Sequence, residues 1–288
     1  MRVGFWSAPE ADDVEMTVLP VAHNDGDPRR GRTAAGGVAA LASLDGAALA
    51  AQYPGATALF PRLEAALAAQ RADAPGRGFP LDGLSEDERQ LIGDVLGEGE
   101  VAGIVALPDG GVAQIQESVL AGLWRVHVEG GNAAFRDYLE VGAIPNVVSS
   151  AAIELTSSDL FFGAPPDGVM NVMPVLAEIR ERIATHRPGG DSHIVNFTLF
   201  PMSPADMAFL QATLGSGPVR LFSRGYGNCR VLATGVRHVW SVQFTNSMDA
   251  VILDTLEIGD LPAAARAAAE DFRDSAARLS EIIAAYLQ

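Results

Sequence analysis

The chain has 288 residues, 48% of them hydrophobic and 19% charged, with a formal net charge of −16. That is enough apolar material for one large globular domain or two of ordinary size, and the acidic balance opposes a broad nucleic-acid interface or an anionic membrane surface. All 20 basic residues are arginine, so neither a Walker-type phosphate loop nor a lysine Schiff base is available.

The N-terminus, "MRVGFWSAPEADD", has early acids and no apolar stretch, and does not read as a signal peptide. No apolar run reaches the ~18 residues of a membrane span, so a soluble cytoplasmic protein is expected. Residues 1–33 are polar and turn-rich, which predicts an irregular N-terminal segment. Residues 34–150 then read as one α+β unit and residues 151–288 as a second.

The evidence for two units is internal similarity. A helical run, "RLEAALAAQ", is followed by "SEDERQLIGDVLGEGEV" (85–101). A second helical run, "VLAEIRERIATH", is followed by "SPADMAFLQATLGSGPV" (203–219). Each of the longer segments has a serine N-cap, an acid at the third helical position, an apolar stripe and then Leu-Gly-x-Gly-x-Val. Downstream, "GLWRVHV" (122–128) aligns with "HVWSVQF" (238–244), so Trp124 meets Trp240. "LEVGAIP" (139–145) aligns with "LEIGDLP" (256–262), so Glu140 meets Glu257. The similarity predicts a duplication with units near 57–146 and 170–263, arranged as a pseudo-twofold pair.

Within each unit the apolar period shortens after the helix. The first unit carries "VAGIVAL", "VAQIQESVL", "LWRVHVEG" and "FRDYLEVG"; the second carries "PVRLFSR", "CRVLATGV", "VWSVQFTN" and "AVILDTLEI". Connections this short favour an antiparallel meander over parallel crossovers. "PDGG" and "GYGN" take the same hairpin position. A long amphipathic helix closes the chain, with Leu261, Ala265, Phe272, Ala276, Leu279 and Ile283 on one face. Asp260 is its expected cap, and Pro262 suits its first turn.

The glycines of "GEGEV" and "GSGPV" follow a helix and precede a strand. A dinucleotide loop needs the reverse order, so these read as helix C-caps. His23, His127, His186, His193 and His238 include no pair at the i, i+4 spacing of a helical metal site. One cysteine excludes an internal disulfide and any multi-cysteine metal site within the chain. No cofactor, metal or catalytic set is expected, and the chain does not read as an enzyme.

The stretch "SRGYGNCR", Ser223 to Arg230, is the exception to this plainness. Gly225, Gly227 and Asn228 tolerate positive φ, which explains a tight hairpin. The equivalent "PDGG" turn has no Arg, Tyr or Cys, so the hairpin itself does not require them. Arg224, Tyr226, Asn228, Cys229 and Arg230 are therefore the candidate partner-binding residues. The competing reading is structural, with the arginines paired internally and Cys229 packed in the core.

"LGSGPV", "SRGYGNCR", "VQFTNSMD" and "EDFRDSAARL", in that order, resemble the conserved C-terminal region of the HupH/HyaF hydrogenase expression proteins. The resemblance covers about 171–283. It implies an accessory, chaperone-like factor in maturation of uptake nickel–iron hydrogenases, often linked to the iron–sulfur small subunit before export, with a hydrogenase subunit precursor and other maturation factors as its partners. It carries over no catalytic residue. An alternative is a thiol-dependent redox or iron–sulfur or metal delivery factor using Cys229, although a lone thiol has no resolving partner in the chain.

Overall fold

A computed structural model describes residues 46–132, 136–200, 202–224 and 227–286. The expected irregular segment 1–33 lies outside the described residues. In chain order, the described elements begin with α1 (Gly46–Gln52), α2 (Pro54–Ala69), β1 (Arg77–Pro80), α3 (Glu86–Leu96), β2 (Val101–Ala106), β3 (Val112–Glu117), β4 (Leu123–Glu129), β5 (Asp137–Val141) and α4 (Asn146–Glu154). They continue with α5 (Val172–Thr185), β6 (His193–Asn196), α6 (Pro204–Leu214), β7 (Ser216–Ser223), β8 (Asn228–Thr234), β9 (Val239–Thr245), β10 (Val251–Ile258) and α7 (Ala269–Tyr286). The fold is α+β with antiparallel strands, as the short connections predict. By internal contacts the chain divides into two compact units. The described part of one comprises residues 46–102, 111–132, 136–146 and 266–286; that of the other comprises 103–110, 147–200, 202–224 and 227–265.

In the first unit, β3 pairs with β4, β4 with β5, and β5 with β1. Burial alternates along β3 and β4, so that one face of each strand is covered. A hydrophobic core of this unit joins Phe60, Leu63, Phe79, Ile92, Leu123, Leu139, Phe272 and Leu279. The C-terminal helix α7, although last in the chain, packs here: Ser275 Oγ donates to the Ala121 carbonyl, and a side chain at Gly122 would collide with the Phe272 ring. The helix also starts later than the sequence suggests. Ala268 N donates to Asp271 Oδ2 at its N-terminus, and Asp260 is engaged elsewhere.

In the second unit, β7 pairs with β8, β8 with β9, β9 with β10, and β10 with β6. Its core joins Val175, Leu176 and Ile179 of α5 to Leu210, Leu214, Val239 and Leu256.

Local geometry repeats between the units. Ser85 and Ser203 both form capping boxes, with Glu88 and Asp206 as the returning acids. Each acid also holds the start of the preceding long helix. Glu88 accepts from Gly55 N and Ala56 N, and Asp206 from Met170 N, Asn171 N and Val172 N. The serine of each box, through Ser85 N at Glu88 and the Ser203 hydroxyl at Asp206, does most to pull the carboxyl below its usual range; burial opposes it and the helix-start N–H groups add to it. Trp124 lies opposite Glu140, and Trp240 lies opposite Glu257. The pseudo-twofold relation between the units stays an expectation.

Candidate functional site

The "SRGYGNCR" stretch forms the β7–β8 hairpin. Ser223 ends β7 opposite Cys229, and Gly227 sits at φ 102°, the left-handed conformation that glycine admits without steric cost. Gly225 and Tyr226 lie outside the described residues. Arg224, Asn228 and Arg230 are exposed, while Cys229 is only 4% exposed. Alternation explains the split: Asn228 and Arg230 point to one face and Cys229 to the other. Burial pushes the Cys229 thiol up to about 12, with the Glu257 charge adding to the shift. A thiol held protonated in this way is a poor nucleophile and a poor metal ligand.

Among the described residues neither Arg224 nor Arg230 forms an ion pair, and the Arg230 guanidinium sits 5.7 Å over the Phe222 ring centroid. Asn228 reaches across to Asp249 Oδ1 at 3.5 Å. Asp249 belongs to the β9–β10 turn, which starts beside Asn228 because Asn228, Thr245 and Val251 are consecutive partners across the ladder. Asn246 Oδ1 shapes that turn by accepting from Met248 N and Ala250 N.

Large apolar side chains are exposed at this same end. Met248 is 84% exposed and Ile252 58%. Leu199, 81% exposed, and Phe200 belong to the segment after β6. That segment runs beside β10, since Phe197 N donates to the Asp254 carbonyl and Asp254 N to Thr198 Oγ1. Arginine, asparagine and apolar side chains are thus exposed on segments that run side by side at this end of the strands. Sequence reading found the first tip; it missed Met248, Ile252, Leu199 and Phe200, whose exposure no periodicity reveals.

At another place in the second unit, three ligand-type side chains meet. His186 follows α5, His238 precedes β9 and Asp260 follows β10. One ligand atom from each lies within 4.8 Å of the others. His186 Nε2 and Asp260 Oδ1 are 3.0 Å apart, and the two imidazole centroids are 4.2 Å apart.

The sequence profile described as HupH hydrogenase expression protein, C-terminal conserved region, matches residues 55–160 and 169–286. The likeness read from 171–283 therefore extends over the first unit as well. The hydrogenase expression/formation protein HupH of Rhizobium leguminosarum bv. viciae is 50% identical over 291 residues, covering 100% of both chains. HoxQ of Cupriavidus necator, also named a hydrogenase expression/formation protein, is 48% identical over 75% of this chain and 77% of its own. The hydrogenase-1 operon protein HyaF of Escherichia coli is 32% identical over 97% of this chain and 94% of its own. A solved structure of hydrogenase expression protein HupH from Thiobacillus denitrificans is 25% identical, with a TM-score of 0.36, and covers 40% of this chain and 96% of that one.

Proposed function

This chain belongs to the HupH family of hydrogenase expression proteins, and from that premise we propose that it serves hydrogenase maturation by binding a hydrogenase subunit precursor at the two hairpin tips of its second unit. The small-subunit precursor is the favoured client, held in the cytoplasm before export. The protein acts by binding, without a covalent step of its own.

The observation that carries this reading is the patch of Arg224, Asn228 and Arg230 beside Met248, Ile252, Leu199 and Phe200. Contiguous exposed apolar side chains cost solubility and mark interaction surfaces. Arginine and methionine are enriched at such surfaces, where large contact area meets directional hydrogen bonding. Arg224 and Arg230 are exposed cations that an acidic client segment reads. The burial of Cys229 weighs against the thiol-dependent alternative. No helix among the described residues is long and apolar enough to cross a membrane.

The test is a pull-down of separately produced small- and large-subunit precursors with the tag-immobilised chain, the small subunit with and without its signal peptide. Capture of the small-subunit precursor supports the reading. Capture of the large subunit alone redirects it, and capture of neither removes it.

A further inference from the structure

We propose that His186, His238 and Asp260 form a binding site for a borderline divalent cation of the zinc and cobalt class. The inference does not rest on precursor docking and concerns a different part of the second unit.

The donor set is the first argument. Two imidazoles and a carboxylate suit first-row divalent ions better than calcium or magnesium, which prefer all-oxygen shells. Ligand atoms around a tetrahedral zinc-sized ion stand about 3.3 Å apart, given bonds near 2.0–2.1 Å. The His186–Asp260 pair at 3.0 Å is already close to that spacing, and all three ligand atoms lie within 4.8 Å of one another. Three protein ligands leave one position open, to water or to a donor brought by a client. The second oxygen of Asp260 accepts from Gly189 N at 2.7 Å, which fixes the carboxylate in the way outer partners orient metal ligands.

The backbone points to the same place independently of the donor set. His238 has a left-handed backbone, φ 63°. In the first unit the aligned residue is Gly122, φ 82°, and the hydrogen bond is the same: Gly259 N donates to the His238 carbonyl as Gly142 N donates to that of Gly122. The fold asks for glycine here, and the second unit keeps a histidine in spite of the strain. A strained non-glycine residue calls for a function in its side chain. Beside it a second departure appears: Trp124 Nε1 donates to the Gly142 carbonyl, whereas buried Trp240 Nε1 finds no partner among the described residues.

The guanidinium of Arg237, next to His238 in the chain, is engaged with the carbonyls of Ile153 and Thr156. The sequence reading expected no metal because it sought ligands at helical spacing. These three come from separate segments.

The experiment titrates Co²⁺ into the tag-free, chelator-stripped full chain, read by visible absorption, with Zn²⁺ as competitor. One Co²⁺ per chain with ligand-field bands of a four- or five-coordinate ion is expected, displaced by Zn²⁺. His238→Gly restores the residue of the first unit, so the metal-free variant keeps its melting temperature while affinity falls at least about 100-fold. Asp260→Asn keeps an acceptor for Gly189 N and loses affinity likewise, and it decides the matter if His238→Gly does not fold. Absence of Co²⁺ binding, or binding unchanged in the folded variants, overturns the proposal.

Discussion

His238 holds in the second unit the backbone conformation that Gly122 holds in the first, and each carbonyl accepts a hydrogen bond from a glycine beyond the last strand of its meander. The two positions differ in what surrounds them. Behind Gly122 stands the Phe272 ring of the C-terminal helix, with no room for a Cβ. Behind His238 stand His186 and Asp260.

Opposite substitutions at the two sites therefore have unequal effects. Gly122→Ala forces both a left-handed alanine and a collision in the core, and lowers stability by about 2–3 kcal/mol. His238→Gly changes it by no more than about 0.5 kcal/mol, relief of strain offsetting the entropy of an added glycine. Chemical denaturation measures both. Equal losses at the two sites would mean that His238 is a packing residue.

Two buried acids set a pH dependence. Burial raises Glu117 to about 7, with a smaller contribution from Asp271 and Glu100, and raises Glu140 to about 7 despite the hydrogen bond from Asn146 N. In the unfolded chain both lose their protons near the ordinary value of 4.5. The folded-state pKa is the higher one, so their favourable contribution is complete below about pH 4.5 and is lost as pH rises through 7. Glu140→Gln removes that loss and stabilises the chain at pH 8 by on the order of 2 kcal/mol, with little effect at pH 4.5. Asp206 and Glu88, both depressed, act in the reverse sense on acidification. Urea unfolding of the wild type and the variant at both pH values checks the sign; parallel pH profiles would contradict it.

Much of the architecture was legible because local chemistry and apolar period agree. The serines that cap α3 and α6, the glycines that end those helices, and the eight strand runs all lie where the sequence puts them. β1 and β6 were not legible. Each is four residues long and pairs with a strand read separately, β5 and β10, so neither shows a period of its own. The start of the last helix was misjudged because Asp260 followed by Pro262 is a good cap signal locally. Tertiary contacts with His186 and Gly189 take the carboxylate instead. Of the candidate site, the arginines could be found by contrast with "PDGG". The burial of Cys229 follows from strand register, which residue type alone does not give. The His–Asp cluster left one trace in the sequence, a histidine aligned with a glycine.

Cys229 should behave as a core residue. The folded chain reacts with a disulfide-exchange reagent only as fast as it unfolds, and Cys229→Ala costs about 1 kcal/mol through the lost packing of its sulfur. Precursor capture is unchanged by that substitution. Rapid labelling of the native chain would show a thiol available to clients and would revive the thiol-dependent alternative.

Patch residues that are apolar and exposed contribute to binding and little to folding. Met248→Ser and Leu199→Ser leave the melting temperature within about 2 °C of wild type, since surface changes stay within roughly 0.5 kcal/mol. Each weakens precursor capture. A melting temperature that falls in step with capture would place these side chains in a packed interface of the chain itself.

The most direct test of the docking account is the affinity of the small-subunit precursor for the wild type and for Arg224→Ala and Arg230→Ala, measured on the same samples as thermal stability. At least one of the two is expected to lose affinity by 10-fold or more, about 1.4 kcal/mol, at unchanged melting temperature. Unaltered affinity in both variants, or affinity lost only in proportion to stability, would contradict it.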